Sequence, residues 1–407
     1  MNCRHCSTIL IHTFLDLGYA PPSNSYLSKD ELDKPEIYYP LKVFVCDKCW
    51  LVQTKDYVDA EKLFSSKYAY TSSTSSGWLT HAKDYTNKIK HEFNLNKDSF
   101  VIEVASNDGY LLKNFVKAGI PCLGIEPTES TAVLAEKKGI SVLRKFFGKT
   151  LGKKLAIEGK KADLIIGNNV YAHVPDINDF TKGLKLVLKP GGVITLEFPH
   201  LMRLIEHTQF DTIYHEHFSY LSLYTVNKIF KKEGLKILDV EEIETHGGSL
   251  RIYGCHKDDP RKTKKSVKLL LKEEKLQGLQ KLKTYQDFQL HANRVKNQLL
   301  NFLIEQKNNG KKIVGYGAAA KGNTLLNYAG IKSDLLPVVY DGAITKQGRF
   351  MPGSHIPILS PKYLNHTKPD YVLILPWNIA KEVRKQNTMA EKKGIKFMIA
   401  VPDIKIL

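Results

Sequence analysis

Side chains that can accept and release protons crowd into one stretch of this 407-residue sequence. Tyr214, His215, Glu216 and His217 are consecutive, and His173 lies upstream of them. Histidine and carboxylate side chains are the usual general acids and bases of enzymes. The order His-Glu-His lacks the i, i+4 histidine spacing of a helical zinc protease. The stretch therefore predicts acid–base chemistry without a catalytic metal ion.

Two pairs of cysteines stand at the other end of the chain. Cys3 and Cys6 form one C-x2-C pair, and Cys46 and Cys49 form a second. Two thiolates three positions apart can bind one side of a tetrahedral zinc ion, and a second pair completes the coordination. The long gap between the pairs requires a small domain to fold there. The spacing predicts one structural zinc site with all four cysteines as ligands.

A turn after one predicted strand has the composition of a cofactor site. It reads Glu103-Val-Ala105-Ser-Asn107-Asp108-Gly109, and the next strand ends in an acid that can accept hydrogen bonds from ribose hydroxyls. Alanine and asparagine replace glycines that let dinucleotides approach, which favours S-adenosylmethionine over NAD. The predicted cofactor-binding residues are Glu103, Ala105, Asn107, Asp108, Gly109, Tyr110, Leu111, Glu126, Pro127, Asn168 and Asn169.

A second turn of similar kind lies in the last third of the sequence, at residues 315–324. Backbone N–H groups and the helix dipole at such a turn can bind a phosphate. The order Lys-Gly excludes a P-loop. An acid and two basic residues follow, so we predict a nucleotide diphosphate site. Its candidate residues are Gly315, Gly317, Lys321, Asn323, Asp341, Lys346 and Arg349.

Short apolar strands alternate with helices around both turns. This alternation predicts two doubly wound α/β units. The first unit also has a Pro-Gly-Gly turn after Leu188, before a strand at Val193, which is typical of class I S-adenosylmethionine-dependent methyltransferases. With the cofactor turn, it predicts a methyltransferase core with a Rossmann-like fold. Apolar residues spaced from Phe288 to Phe302 predict a helix that links the two units. We divide the chain into a zinc-binding module (1–66), a methyltransferase domain (67–257), and a linking helix with a C-terminal Rossmann-like domain (258–407).

The charge of the chain leaves its partner open. There are 60 Lys and Arg against 42 Asp and Glu, a net charge of +18, and residues 261–310 hold 12 of the basic residues against 4 acidic ones. Such an excess suits a nucleic acid or a smaller anionic nucleotide. No apolar run approaches the roughly 18 residues of a membrane helix. The N-terminus lacks an apolar signal core, so we expect a cytoplasmic protein.

The quoted motifs resemble those of the bacterial C-methyltransferases that act on nucleotide-linked 4-keto deoxysugars. The resemblance covers the cysteine pairs and residues 103–112, 168–175, 197–220, 246–251, 315–324 and 341–357. It implies a zinc-binding module, a methyltransferase core and a C-terminal Rossmann-like domain, with substrate in the cleft between them. It also implies a dTDP-linked substrate, with CDP- and GDP-linked sugars as alternatives, and we expect a monomer.

The resemblance implies a role for each site residue. A 4-keto group acidifies the proton on C3, and His217 removes it, with Tyr214 as a hydrogen-bond partner or relay and Glu216 as the orienting group. His173 would donate to the enolate oxygen. The remaining assignments place Tyr68 or Tyr70 against the sugar, Phe146 against adenine, and Phe198 and His200 among the substrate contacts.

Three other functions compete with this interpretation. A zinc-containing nucleic-acid methyltransferase would explain the charge, but residues 261–310 hold one Tyr and two Phe, a poor track for stacking bases. A non-catalytic protein could bind the sugar nucleotide without methyl transfer. An oxidoreductase could use the Gly315 turn for NAD.

Overall fold

The structure, a computed structural model, describes residues 1–57 and 71–407. Within these ranges the strands form three separate sheets. Among the same residues, no helix combines the length and the apolar character that crossing a bilayer requires.

The first sheet carries the cysteine pairs. It has the order β1-β2-β3-β9 and is antiparallel throughout. Its strands are β1 His12–Ala20, β2 Tyr39–Val45, β3 Val52–Thr54 and β9 Ser219–Tyr220. Cys46 and Cys49 lie in the turn between β2 and β3. Because β9 comes from a distant part of the chain, the N-terminal sheet does not end at the predicted boundary at residue 66.

The second sheet has the order β10-β11-β8-β7-β4-β5-β6. The strands from β8 to β6 are parallel, and β10 and β11 are antiparallel to their neighbours. Its strands are β4 Val101–Val104, β5 Cys122–Ile125, β6 Ser141–Leu143, β7 Ala162–Asn168, β8 Leu188–Pro199, β10 Leu235–Ile243 and β11 Ser249–His256. This is the predicted Rossmann-like core.

Helices accompany this sheet. They are α1 Ser76–Glu92, α2 Leu112–Lys117, α3 Glu129–Glu136, α4 Lys149–Ile157, α5 Ile177–Val187, α6 Leu201–Glu206 and α7 Leu223–Lys232. β8 begins at Leu188, so the Pro-Gly-Gly turn predicted before the strand at Val193 is part of the strand itself. The register of β7 and β8 shifts between Ala162 and Leu164, which accommodates the Pro-Gly-Gly sequence within the strand.

The third sheet has the order β14-β13-β12-β15-β16-β17, parallel except for its last strand. Its strands are β12 Ile313–Tyr316, β13 Val339–Tyr340, β14 Ile358–Leu359, β15 Tyr371–Ile374, β16 Lys396–Ile399 and β17 Lys405–Ile406. The helices of this part are α8 Lys265–Leu276, α9 Leu282–Gln286, α10 Phe288–Asn308, α11 Ala320–Ala329, α12 Leu364–Thr367, α13 Ala380–Gln386 and α14 Thr388–Lys392.

The linking helix α10 joins the first and third sheets. Phe288, Ala292, Val295 and Leu299 are fully buried, as their spacing predicts, and they share one core with β1 and β12. Phe302 is only partly buried, and Leu303 completes the buried face in its place. The N-terminal module therefore packs against the C-terminal domain as well as against the methyltransferase core.

Candidate active site

The first part of the site is the carboxyl edge of the second sheet, where β4 and β7 end. Ala105 and Asn107 follow β4 with φ angles of 57° and 48°, and Asn169 follows β7 with a φ of 53°. Non-glycine residues seldom adopt this left-handed region, and those that do cluster at functional sites. Gly109 also has a positive φ, and a Cβ there would lie 2.3 Å from Ile140.

Glu126 ties the turn after β4 to the end of β5. Its carboxylate accepts hydrogen bonds from the N–H of Asn107 and from the N–H of Thr128, each at 2.9 Å. Each carboxylate oxygen can accept a further hydrogen bond. Glu126 is therefore held in a fixed orientation at the edge where a ribose would bind.

Several buried polar atoms at this edge have no hydrogen-bond partner among the described residues. They are Glu103 Oε2, Ser106 Oγ, Asp108 Oδ1, Asn168 Oδ1, Asn168 Nδ2 and Asn169 Oδ1. Buried polar groups are otherwise nearly always paired. Burial, with the charge of Glu126 beside it, raises the pKa of Glu103 well above its ordinary value. This set of orphaned donors and acceptors fits a polar ligand such as S-adenosylmethionine.

The other predicted cofactor residues differ in how far their side chains are buried. The side chain of Leu111 is fully buried in the apolar core, and its contact with the cofactor stays a prediction. The ring of Tyr110 is also buried and stacks on Trp78, with centroids 5.9 Å apart. Pro127 is half-buried, and Phe146 is 46% exposed. The contact of Phe146 with adenine stays a prediction.

We expect Glu126→Gln to raise the Kd for S-adenosylmethionine by about 10-fold or more, since a hydrogen bond to a charged group contributes about 1.5–3 kcal/mol. Glutamine offers one oxygen where two N–H groups need acceptors. The measurement is calorimetric titration, with Glu129→Gln on the exposed side of α3 as the matched control. An unchanged Kd would show that the ribose is held elsewhere.

The second part of the site is centred on His217. Its Nδ1 lies 2.8 Å from the carbonyl oxygen of Thr212. A carbonyl oxygen only accepts, so Nδ1 carries the proton and Nε2 carries the lone pair. Burial, with His173 next in effect, holds the pKa of His217 well below its ordinary value. His217 is therefore a neutral imidazole with Nε2 available as a base.

His173 is adjacent, with its ring centroid 4.6 Å from that of His217. Its Nδ1 donates to the carbonyl oxygen of Glu216 at 2.8 Å, so its Nε2 also lacks a proton. Burial lowers its pKa to about 4. A neutral imidazole in this tautomer cannot donate from Nε2, so the predicted role of His173 as donor to an enolate oxygen is wrong.

The N-terminal module reaches into this part of the site. Asn24 donates from Nδ2 to Oε1 of Glu216 at 2.7 Å, and Glu216 is buried. The ring of Tyr214 lies over His217, with centroids 4.0 Å apart. The ring of Tyr214 thus contacts the imidazole of His217, and the roles of Tyr214, Glu216 and His217 stay predictions.

The C-terminal domain supplies a buried cation. Lys321 lies in the first turn of α11, and its Nζ donates to Oδ1 of Asn378 at 2.7 Å. The ammonium is 4.6 Å from the ring centroid of Trp377. Trp377 in turn donates from Nε1 to Oδ2 of Asp211 at 2.7 Å. Lys321 is therefore held at the junction with the loop that carries His217.

The glycines of the second turn do not surround a phosphate. The N–H of Gly315 donates to Val338 and that of Gly317 to Tyr340, at 2.8 and 2.7 Å. Gly315 is also buried within β12, and a Cβ at Gly317 would lie 2.4 Å from Pro376. These glycines permit close packing, so their predicted direct contact with a ligand is wrong.

Asp341 is hydrogen-bonded to the backbone of the second turn. Its carboxylate accepts from the N–H of Ala318 and from the N–H of Ala343, each at 2.7 Å. It holds the end of β13 to the turn after β12, as Glu126 does in the second sheet. Its contact with a ribose stays a prediction.

The remaining predicted nucleotide residues meet a segment of the N-terminal module. Asn323 donates to the carbonyl of Ser23 at 2.5 Å, and its Oδ1 has no partner among the described residues. Lys346 donates to the carbonyl of Ala318 at 2.7 Å and lies 5.2 Å from the ring of Tyr26. Arg349 is exposed and donates to the carbonyl of Tyr26.

Phe198 and His200 do not face the site. Phe198 is fully buried beside Tyr171 in the core of the second sheet. His200 is buried with its Nε2 2.7 Å from Oε1 of Glu274. Phe198 packs inside the core and His200 is bonded to Glu274 of α8, so neither side chain is available to a substrate. Their predicted substrate contacts are wrong. Tyr68 and Tyr70 lie outside the described residues.

Sequence analysis missed four residues of the site. Asn24 and Asp211 were not assigned, and neither were His246 and Trp377. His246 has a φ of 55°, and its Nε2 lies 3.4 Å from Nδ2 of Asn169. Trp377 follows the carboxyl end of β15. Ligands bind at the carboxyl ends of parallel strands, so the reasoning that selected Asn169 after β7 would also have selected Trp377.

The four predicted zinc ligands come together. The Sγ atoms of Cys3, Cys6, Cys46 and Cys49 all lie within 4.8 Å of one another. Cys3 and Cys49 are 3.4 Å apart, and Cys6 and Cys46 are 3.5 Å apart. Four thiolates about 2.3 Å from a tetrahedral zinc lie slightly less than 4 Å apart, so this donor set fits zinc.

Known proteins share this organisation. Family profiles match residues 3–64 (putative zinc binding domain), 79–240 (methyltransferase domain) and 244–402 (C-methyltransferase C-terminal domain). The C-methyltransferase NovU of Streptomyces niveus is 31% identical over 406 residues, which cover 100% of this chain and 96% of NovU. The chain belongs to the C-methyltransferase family. It is an S-adenosylmethionine-dependent enzyme with an N-terminal zinc-binding domain, as the sequence predicted.

Other similarities are confined to part of the C-methyltransferase. The ubiquinone biosynthesis O-methyltransferase of Bartonella bacilliformis is 24% identical over 98 residues, 23% of this chain and 38% of that protein. A crystal structure of an S-adenosylmethionine-dependent methyltransferase from Clostridium acetobutylicum covers 43% of this chain and 91% of its own, with 16% identity and a TM-score of 0.36.

Proposed function

We propose that this enzyme methylates C3 of a nucleotide-linked 4-keto deoxysugar. The observation that carries the proposal is the tautomer of His217, whose Nδ1 is fixed on the carbonyl of Thr212 at 2.8 Å. A base of this kind beside a methyl-donor site suits carbon methylation, because a carbon nucleophile must first lose a proton. The full-length relative NovU is named as a C-methyltransferase.

The chemistry begins with proton removal. Nε2 of His217 takes the proton from C3, the electron pair of that C–H bond forms the C3–C4 double bond, and the carbonyl π electrons move to the C4 oxygen. When bound, S-adenosylmethionine supplies the electrophilic methyl group that C3 receives. Burial keeps His217 neutral at pH 7, so Nε2 is free of a proton and can accept one.

Two neighbours prepare the base. The Tyr214 ring restricts the imidazole from one side, 4.0 Å away between centroids. Glu216 immediately precedes His217 in the chain, and Asn24 anchors its carboxylate by a hydrogen bond. Tyr214 serves as proton relay, and Glu216 balances the charge of protonated His217.

The nucleotide would lie toward the C-terminal domain. Lys346 and Arg349 both contact Tyr26 of the N-terminal module, and their positive charges suit a diphosphate. The N-terminus of α11 lies at the same place and favours an anion. We propose a dTDP-linked sugar first and CDP- or GDP-linked sugars as alternatives, bound by a monomer.

The test is a mass-spectrometric screen of dTDP-, CDP- and GDP-linked 4-keto deoxysugars with S-adenosylmethionine. We expect the sugars of one nucleotide series to gain the mass of one methylene. NMR should place the new methyl group at C3. The matched control is the 4-hydroxy sugar on the same nucleotide, which lacks an acidic C3 proton. Methylation of that control, or of a nucleic acid instead of any sugar, would contradict the proposal.

A further inference from the structure

The proposed reaction creates negative charge that this site must stabilise. Loss of the C3 proton places that charge on the C4 oxygen. Enzymes stabilise such an oxyanion with preorganised donors or cations in a water-poor site. His173 and His217 both present a lone pair at Nε2, because each Nδ1 donates to a backbone carbonyl. The donor to the oxyanion must therefore come from another residue.

We propose that Lys321 is that donor, an inference that rests on the proposed function. Its ammonium is held by Asn378 at 2.7 Å and by the face of Trp377 at 4.6 Å. A lysine whose head group is fixed by an amide and an indole is already ordered before substrate binds, so binding an oxyanion costs it little further entropy.

The position of Lys321 is fixed relative to His217. Thr324, one turn later on α11, donates from Oγ1 to the carbonyl of Ile213 at 2.8 Å. Ile213 immediately precedes Tyr214. The helix that presents the ammonium is thus hydrogen-bonded to the loop that presents the base.

The indole that holds the ammonium is itself held by the methyltransferase core. Trp377 bonds to Asp211, and a Cβ at Gly247 would lie 2.3 Å from the Trp377 ring. This contact puts His246 next to the same region. Burial is the main cause that lowers the pKa of His217 and of His246, and the positive charge of Lys321 contributes to both shifts. Both observations place the ammonium in the catalytic cluster.

The charge of Lys321 is incompletely balanced. Among the ion pairs of residues 1–57 and 71–407, none within 4.0 Å involves Lys321. The carboxylate of the nearby Asp211 accepts a hydrogen bond from Trp377 at Oδ2. A mostly buried ammonium without a close carboxylate is costly in the free enzyme. An oxyanion that forms beside it during proton removal would relieve that cost, which is differential binding of the transition state.

This assignment differs from the diphosphate contact that the sequence suggested for Lys321. Arg349 is exposed and Lys346 is half-buried, and both contact Tyr26 of the N-terminal module. Those two residues are placed to meet a diphosphate, and Lys321 is placed deeper, beside the reacting sugar.

The test measures enolate formation without methyl transfer. The enzyme is incubated in deuterium oxide with the dTDP-linked 4-keto deoxysugar, without S-adenosylmethionine, and deuterium at C3 is followed by NMR. We expect Lys321→Met to slow exchange at saturating sugar by about 10²- to 10³-fold, the effect of removing one oxyanion donor. We expect its Kd for dTDP to change less than about 3-fold, a small free-energy difference.

Two further variants keep the test sharp. Lys321→Arg retains the cation and should exchange faster than Lys321→Met. Lys332→Met removes an exposed lysine just after α11 and should match wild type. A Lys321→Met enzyme with normal exchange but weaker dTDP binding would overturn the assignment in favour of a diphosphate contact. Absence of exchange in wild type with every 4-keto sugar would overturn the proposed function itself, and this inference with it.

Discussion

Replacing His217 with glutamine should lower kcat for methyl transfer by about 10²- to 10⁴-fold, the usual contribution of a general base. Glutamine keeps the size of the side chain and can still donate to the carbonyl of Thr212, the contact that anchors Nδ1. It cannot accept a proton. The expected loss is therefore in kcat and in C3 deuterium exchange, while the Kd for S-adenosylmethionine stays at its wild-type value.

The control for this variant is His207→Gln. His207 is exposed at the end of α6 and should be dispensable for the reaction. Equal methyl transfer by wild type and His217→Gln would remove His217 as the base. Loss of S-adenosylmethionine binding in His217→Gln would point instead to a structural role.

The pH profile supplies a second measurement on the same residue. A base must be deprotonated to work, and burial holds the pKa of His217 well below the ordinary 6.5. The exchange rate should therefore stay level as the pH falls through 6.5 and decline only at a lower pH, where His217 becomes protonated. A decline centred on 6.5 would mean that the base is an ordinary, solvated histidine.

Much of the site was accessible from the sequence because of a simple rule. Parallel strands in an α/β sheet bind ligands at their carboxyl ends. Glu103, Glu126 and Asn168 each lie at such an end, so their positions follow from locating the strands. The cysteine spacing is equally local, and it identified the metal cluster without any knowledge of the fold.

The errors arose where a residue's role depends on a distant partner. His173 was predicted to donate because histidine can donate, but its Nδ1 faces a carbonyl 43 residues away in sequence. Gly317 was assigned to a phosphate, yet its N–H donates to the carbonyl oxygen of Tyr340 on the neighbouring strand. Trp377 and Asp211 are 166 residues apart, and no local pattern connects them.

The position of the N-terminal module also exceeded what the sequence could predict. Strand β3 pairs with β9, which lies more than 160 residues later and begins at Ser219, just past His217 and Phe218. Asn24 reaches Glu216 across 192 residues. A module that the sequence presents as a separate zinc-binding unit therefore forms one wall of the candidate active site.

That placement gives the zinc site a consequence for catalysis. Nε2 of Gln53 lies 3.3 Å from Sγ of Cys3, and the next residue, Thr54, donates from Oγ1 to the carbonyl of His217 at 3.1 Å. The N–H of Thr54 also donates to the carbonyl of Phe218 at 3.2 Å. Order at the cysteine cluster is thus transmitted through β3 to the backbone of the base.

We therefore expect Cys46→Ser to abolish zinc binding and to lower the free energy of unfolding by several kcal/mol. Methyl transfer should also fall, although His217 is intact. Structural zinc contributes about 10–16 kcal/mol of binding free energy in finger peptides, so losing one of four ligands removes a large share of the module's stability. The measurements are zinc content by mass spectrometry, thermal unfolding and C3 deuterium exchange. Cys122→Ser, at a half-buried thiol remote from the cluster in sequence, should retain the metal. Full zinc content in Cys46→Ser would refute the four-cysteine site, whereas zinc loss with unchanged exchange would show that β3 holds the base without the metal.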